Sequence, residues 1–250
     1  MEKLTVVILT KNESANIVDC IANAKKVSED VLVIDSGSAD DTVQLAKTAG
    51  ARVVYRKWDE DFAAQRNFAL ENTDAEWILY LDADERLDKK LIASVKDAVA
   101  VNKDECYEMK RINCALGYPF QHGVYGPDKV TRLFKRGHFQ YVNKIHEHAE
   151  CADPCKMLSG EILHYTTPTW EQVWQKTEQY TTIWAENVFA NGKRTNILQA
   201  YIHAIGGFLK VYLFQLGILD GVMGWKVSVH HVKYTYMKYA KLLKLQGSKE

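Results

Sequence analysis

Apolar residues fall in short blocks along the first hundred positions, and each block stops on a polar cluster. Leu4-Thr5-Val6-Val7-Ile8-Leu9 is nearly continuous and rich in β-branched side chains, the pattern of a parallel strand buried on both faces. Thr10 to Ser14 is a polar turn. Ser14 or Asn12 can then cap a helix whose apolar face is Ile17, Ile21 and Ala24. Val31 to Ile34 is a second strand ending on Asp35, and Ser36 to Thr42 is a turn. A helix through Val43, Leu45, Ala46 and Ala49 stops at Gly50, and Arg52 to Tyr55 is a third strand. A helix from Phe62 to Glu71 leads into Trp77-Ile78-Leu79-Tyr80-Leu81, a fourth strand ending on Asp82. Strand–helix alternation of this kind predicts βαβ units and an α/β fold.

The second half changes character. Residues 86–100 carry a helical face of Leu91, Ile92, Val95 and Val99. Gly117-Tyr118-Pro119 and Gly123 to Pro127 read as loops. Lys129 to Arg136 alternates apolar and basic residues, which predicts a half-exposed strand. Its Arg132 and Lys135 would face solvent, a phosphate or an acidic sugar. Ile162-Leu163-His164-Tyr165 is a short strand. From Thr169, a cap with Gln172 in the capping-box position, the pattern becomes helical. One helix ends at Gly192, an unusually apolar one spans Ile197 to Leu219, and Lys226 to Glu250 carries six lysines with aromatics between them.

Ligands of open α/β sheets bind beyond the carboxyl ends of the strands. Three polar clusters fall there: Thr10 to Glu13, Asp35 to Asp40, and Asp82 to Glu85. Neither G-x-G-x-x-G nor G-x-x-x-x-G-K-[ST] follows a strand, so any phosphates must be held in another way. Asp82-Ala83-Asp84 offers hard oxygens around a small residue, suited to Mg²⁺ or Mn²⁺ carrying a substrate diphosphate. A solvated acidic turn is the plain alternative. Asp35 and Asp82 are acceptors for ribose or sugar hydroxyls, and Arg66 offers a fork for diphosphate oxygens, unless it is simply a surface helix arginine.

Composition narrows the partners. Thirty-two basic residues balance thirty-two acidic ones, so no nucleic-acid-type field is expected. Five cysteines at irregular spacing favour a reducing cytosol. Cys151-x-x-x-Cys155 near His146 and His148 has loose zinc-finger spacing, but no second Cys pair follows, which argues against zinc. Met1-Glu2-Lys3 runs directly into a strand, so no targeting segment is expected, and no uninterrupted apolar run reaches membrane-spanning length.

Four segments together, Val6 to Glu13, Val33 to Thr42, Gln65-Arg66-Asn67 and Leu81 to Glu85, resemble the family 2 glycosyltransferases. Trp58-Asp59-Glu60-Asp61-Phe62-Ala63-Ala64-Gln65-Arg66-Asn67 resembles the W-x-x-D-F-A-x-Q-R-N pattern of bacterial lipopolysaccharide inner-core glucosyltransferases. The resemblance implies a GT-A fold, a Rossmann-like mostly parallel sheet flanked by helices, here with a C-terminal helical extension. It divides the chain into a catalytic domain at 1–167 and the extension at 168–250. Within the domain, 1–100 would bind the nucleotide sugar and 101–167 would shape the acceptor side. It implies an inverting hexosyltransferase using a nucleotide-diphospho sugar, UDP-glucose by default, and Mn²⁺ or Mg²⁺. Thr10, Glu13, Asp35, Ser38, Arg66 and Asp82 would bind the donor, and Asp84 the metal. His164 would add a late metal or diphosphate contact, with a buried structural histidine as the alternative.

Val142 to His148 resembles the family's V-x-x-x-x-H-E element. Inverting transfer needs a base for the acceptor hydroxyl, and Glu147 is the first candidate with Asp128 the second. His146 would orient Glu147 or meet the diphosphate. Trp58 would stack on a sugar or pack a loop. Apolar and aromatic residues beside lysines in 197–250 suit either an anionic membrane or a protein interface. Because lipopolysaccharide acceptors are membrane-bound, the resemblance favours a saccharide or glycolipid acceptor and a cytoplasmic enzyme peripheral on the inner face of the membrane. Three rival classes are a sugar nucleotidyltransferase, a non-catalytic sugar-nucleotide binding module and a structural membrane adaptor. The first typically carries a Gly-rich Lys/Arg signature where this chain has Thr10-Lys11-Asn12-Glu13.

Overall fold

The structure, a computed structural model, describes residues 3–103, 105–144 and 147–247. They form two compact units: residues 1–111 with 128–164, and residues 112–127 with 165–250. The chain runs β1 (Leu4–Thr10), α1 (Ile17–Ala24), β2 (Val31–Asp35), α2 (Thr42–Thr48), β3 (Arg52–Tyr55), α3 (Phe62–Phe68), β4 (Trp77–Asp82), β5 (Glu85–Leu87) and α4 (Lys89–Val101). It continues through β6 (Cys106–Ala115), β7 (Tyr118–Pro119), β8 (Asp128–Lys135), β9 (Phe139–Val142), β10 (His148–Cys151) and β11 (Lys156–His164), then α5 (Trp170–Ala190), α6 (Ile197–Leu209) and α7 (Gly221–Gly247).

In the first unit the sheet order is β3-β2-β1-β4-β8-β6-β11-β5. β1 pairs in parallel with β2 and β4, and β2 with β3, as the apolar runs predict. The other half is built from antiparallel pairs, β4 with β8, β8 with β6, and β11 with β5. β1, β2 and β4 are buried on both faces because α1 and α4 cover one side and α3 with β9 the other, while β3 is half exposed. Ile8, Leu79 and Leu81 pack with α1 and α4 residues, while Val7, Ile34, Ile78 and Tyr80 pack with α3 residues and β9. Register puts Leu9 opposite Asp82 and Thr10 opposite Asp35, so all three predicted polar clusters emerge at one edge.

Three local readings differ from the structure. Residues 86 and 87 belong to β5 rather than to the start of a helix, and Asp88 caps α4 by accepting from the Leu91 N–H at 2.6 Å. The short strand at 162–165 is the end of a nine-residue one, β11. Its Gly160 has φ +107°, and a Cβ there would lie 2.2 Å from the Leu91 nitrogen, so glycine lets β11 lie close against α4. The apolar helix expected to reach Leu219 ends at Leu209, followed by a π turn at Lys210–Phe214 and a 3-10 turn at Gly217–Asp220. α7 then begins at Gly221. Asp220 is buried and accepts from the Gln121 and His122 N–H groups, at 3.2 and 2.8 Å, which fixes this corner.

The spacing-based picture of unpaired cysteines is also revised. Cys106 and Cys155 form a disulfide across 49 residues of sequence, a separation that local spacing cannot reveal. In this bonded state Cys155 offers no free thiolate, and His148 lies 3.4 Å from the Asn143 side chain. His146 lies outside the described residues.

In the second unit α5 and α6 both pack on α7. Thr177 on α5 donates to the Val173 carbonyl at 2.8 Å, so its oxygen accepts the proton of His230 Nε2 at 3.0 Å. Burial, with help from His231 and Lys233, lowers the His230 pKa from 6.5 to about 4. The folded state thus binds fewer protons than the unfolded one between these values. The stability it contributes is complete above 6.5 and is lost as pH falls toward 4. Thermal melts between about pH 7 and about pH 4.5 should show a wild-type decline that His230→Asn flattens, by roughly 2–6 °C. Parallel declines would remove His230 from the cause.

Candidate active site

The Gln65-Arg66-Asn67 segment shows why three polar residues sit on one short helix. Asp61 caps α3 by accepting from the Ala64 N–H at 2.8 Å. Gln65 donates to Ser36 Oγ at 2.9 Å, joining α3 to the loop after β2. Asn67 donates to the Tyr141 carbonyl at 2.8 Å and accepts its N–H at 3.0 Å, joining α3 to β9. The Tyr80 hydroxyl donates to the Arg66 carbonyl at 2.9 Å. Arg66 is thereby fixed from three sides and buried, with its guanidinium 5.2 Å from the Tyr141 ring centroid. The reading of Arg66 as a surface helix residue is excluded.

Around Arg66 lies a cavity of about 420 Å³ at the carboxyl ends of β1 and β4. Of the predicted site residues, Thr10, Glu13, Arg66, Asp82, Asp84 and Glu147 line it. Lys11 and Trp58 join them, with the Trp58 ring edge-on to Phe62 at 4.6 Å. Thr10 Oγ1 and Arg66 Nη1 are buried without a hydrogen-bond partner among the described residues. Unpaired buried polar atoms are costly, and in a cavity wall they mark positions where a polar ligand would bond.

Asp35 and Ser38 do not line the cavity. Asp35 is buried and accepts from the Gly37 N–H at 2.9 Å, the Ser38 N–H at 3.0 Å and the Ser38 hydroxyl at 2.5 Å. Ser38 Oγ accepts from the Asn12 N–H at 2.9 Å. The pair orders the β2 loop and ties it to the β1 loop. Glu13 bonds Asn16, and burial together with the negative charges of Asp84 and Asp40 raises its pKa.

Asp82 sits between two arginines. Arg66 Nη2 is 3.2 Å from its Oδ1, and Arg132 Nη2 is 2.6 Å from its Oδ2. Burial alone would raise its pKa, but Arg132 and Arg66 hold it well below the usual carboxylate range. Arg132 also reaches Glu85 at 3.0 Å, and Glu85 meets Arg111 at 3.1 Å. Arg111 grips Asp128 through Nε at 2.9 Å and Nη2 at 2.6 Å. Asp128 does not line the cavity. Glu147 does, 3.4 Å from Arg66.

This network corrects the expectation for Arg132. Arg132, Leu133 and Phe134 are all buried, so strict alternation fails and the arginine points inward to acids. Glu85 and Arg111 were not anticipated as parts of the site. The third acid of Asp82-Ala83-Asp84-Glu85, fully buried, was the signal that an internal cation was needed.

Antiparallel pairing of β5 with β11 sets His164 opposite Glu85, and so beside Asp84. His164 Nε2 lies 3.1 Å from Asp84 Oδ2. Two cis ligands at about 2.1 Å from one ion are about 3 Å apart, so these atoms fit a single divalent cation. A carboxylate with an imidazole favours Mn²⁺ over the harder Mg²⁺.

Residues 5–167 match the sequence profile of glycosyl transferase family 2. An uncharacterised glycosyltransferase of Rickettsia prowazekii is 27% identical over 97% of this chain and 87% of its own length. The lipopolysaccharide core biosynthesis glycosyltransferase LpsC of Rhizobium meliloti is 27% identical over 96% of this chain and 91% of its own. Among solved structures, glucosyl-3-phosphoglycerate synthase of Mycobacterium tuberculosis, in complex with Mn²⁺, UDP and glucosyl-3-phosphoglycerate, is 21% identical. It covers 45% of this chain and 44% of that one with a TM-score of 0.38.

Proposed function

Given that the chain belongs to glycosyl transferase family 2 and has the GT-A fold, we propose that it is a metal-dependent inverting hexosyltransferase. The donor is a nucleotide-diphospho sugar, by default UDP-glucose, and the acceptor a saccharide of the lipopolysaccharide core or a related cell-envelope glycan. The observation that carries the reading is the convergence of Asp82, Asp84, Arg66 and Glu147 on one cavity, with His164 against Asp84. Likeness to LpsC supports the acceptor class.

In this reading residues 1–100 hold the donor, 101–167 the acceptor side, and 168–250 form the helical extension. Thr10 Oγ1 and Glu13 meet the nucleotide, and Asp35 with Ser38 shapes the loop beside it. Asp82, kept ionised by its arginines, accepts from a ribose or sugar hydroxyl. Asp84 and His164 would hold Mn²⁺ or Mg²⁺, which would supply positive charge beside the departing diphosphate. Arg66 Nη1 adds a donor for the same oxygens. Glu147 takes the acceptor hydroxyl's proton as the oxygen attacks the anomeric carbon opposite the nucleotide. Glu147→Gln should lower kcat about 100-fold or more while leaving donor affinity within about threefold. Loss of donor binding in that variant would make Glu147 a donor ligand, and full turnover would transfer the base role to Asp128.

The extension supplies the second part of the proposal, peripheral contact with the inner face of the cytoplasmic membrane. Ile197, Leu198, Tyr201, Ile202, Ile205 and Leu209 form an exposed face of α6, continued by Phe214, Leu219 and Trp225. By length and composition alone Ile197–Phe214 could cross a membrane, and 17% of it is buried. The π turn and Lys210 interrupt it, and α7 packs back along α6, which suits a hairpin lying in the interface. Residues 193–247 hold eight basic residues and one acid, complementary to anionic lipid. Vesicles with anionic phospholipid should bind the chain about tenfold more tightly than neutral ones, and Ile202→Glu with Ile205→Glu should abolish the binding. Equal binding to both vesicles would contradict the lipid reading.

A further inference from the structure

Three of the five cysteines meet at one place in the first unit, away from the cavity. Cys106 opens β6, Cys151 ends β10, and Cys155 lies in the loop between β10 and β11. Cys106 and Cys155 are bonded, and the Cys151 sulfur lies within 4.8 Å of both. The Cys151 thiol is free and half-buried. Three sulfurs drawn from separate segments provide a disulfide together with the thiol needed to move it.

We propose that Cys106, Cys151 and Cys155 form a thiol–disulfide exchange site, with Cys151 as the attacking thiol. The Cys151 thiolate attacks Cys155 Sγ. A Cys151–Cys155 bond forms, the Cys106–Cys155 bond breaks, and the electron pair leaves on Cys106 Sγ. That sulfur takes up a proton equivalent to the one Cys151 released, so the step needs no external oxidant or reductant. The thiol so released has an acceptor in place, because Cys106 Sγ lies 3.4 Å from the Asp153 carbonyl oxygen. Attack on Cys106 instead yields a Cys106–Cys151 bond and frees Cys155. Low-molecular-mass thiols such as glutathione drive the same trio to the fully reduced form and become oxidised to their own disulfide.

The location gives the exchange a consequence. Cys151 pairs with Phe139 in the β9–β10 ladder, and Glu147 stands one residue before β10. The present bond tethers to β6 the loop that follows this hairpin. A Cys106–Cys151 bond would tether β10 itself, and a Cys151–Cys155 bond would release the hairpin from β6. The bond's position therefore sets how firmly the segment carrying Glu147 is held. Burial raises the Cys151 pKa, which keeps the attacking thiolate scarce and the exchange slow at neutral pH.

The test uses the full chain equilibrated in glutathione buffers of graded ratio, trapped with acid and mapped by non-reducing peptide mass spectrometry. Wild type should yield disulfides containing Cys151 as well as Cys106–Cys155. Cys151→Ser should yield Cys106–Cys155 alone and be reduced by glutathione about tenfold more slowly. Cys155→Ser, which keeps the attacking thiol, should form Cys106–Cys151. Amide exchange at 139–144 and 147–151 should be faster in the reduced wild type than in the oxidised one. The proposal fails if wild type gives only Cys106–Cys155 at every ratio and Cys151→Ser is reduced at the same rate. It also fails if the reduced sulfurs are found holding a zinc ion.

Discussion

Asp84→Ala should lower kcat by about 100- to 1000-fold while the chain remains folded. Asp84 follows β4 at the cavity wall, and its one ion pair among the described residues is with His164. Removing it deletes a carboxylate from the partly exposed edge of the sheet rather than from the core, so little stability is at stake. If Asp84 and His164 hold a cation as proposed, the loss should fall on the transition state, where that cation would oppose the negative charge gained by the leaving diphosphate. His164→Ala should act in the same direction with a smaller effect, and His164→Asn should restore part of the activity if ligation is its role. Single-turnover rates at saturating donor and Mn²⁺, with circular dichroism to establish folding, provide the measurement. Wild-type turnover by folded Asp84→Ala would remove the metal from the mechanism.

Arg132→Met should destabilise the first unit by about 3–5 kcal/mol, roughly 10 °C or more in Tm. Arg132 is buried between Asp82 at 2.6 Å and Glu85 at 3.0 Å, and Glu85 is fully buried. Methionine fills comparable space without charge, leaving Glu85 with Arg111 and the Asp82 N–H as its partners. The cost arises from two acids, Glu85 and Asp82, that each lose one of two arginine partners while Arg111 and Arg66 remain, not from a cavity. Donor affinity should fall as well, because Asp82 would be freed to turn from its present position. A denaturant titration showing a change below about 1 kcal/mol would mean that solvent already screens this cluster.

How far these residues could be read from the chain alone follows from what each signal measures. Apolar runs at β1, β2 and β4 report burial on both faces, and they placed the strands, their parallel pairing and the polar clusters at their ends. The Gln65-Arg66-Asn67 motif pointed to the cavity, yet two of its three side chains act by joining α3 to neighbouring segments. Asp35 and Ser38 show the same division, since strand position marks them correctly at the edge while their hydrogen bonds turn inward to the loop. Arg132 was misjudged because period-two alternation assumes one wet face, and at β8 the neighbouring acids make the inner face polar. The Cys106–Cys155 bond was beyond reach of local spacing because the cysteines meet only through tertiary folding. His164 came from family likeness, and its nearness to Asp84 depends on the β5–β11 ladder, which no local pattern announced.

The central claim is that carboxylates at adjoining strand ends gather one cation to hold a nucleotide's diphosphate. The most direct measurement is calorimetric titration of UDP and the other nucleoside diphosphates into wild type and Asp84→Ala, with and without Mn²⁺. The account predicts that the preferred nucleotide binds wild type about tenfold or more tightly with Mn²⁺ than without, and that Asp84→Ala loses this difference. Binding that is equally tight in the presence and absence of Mn²⁺, or a metal effect undiminished in Asp84→Ala, would contradict it.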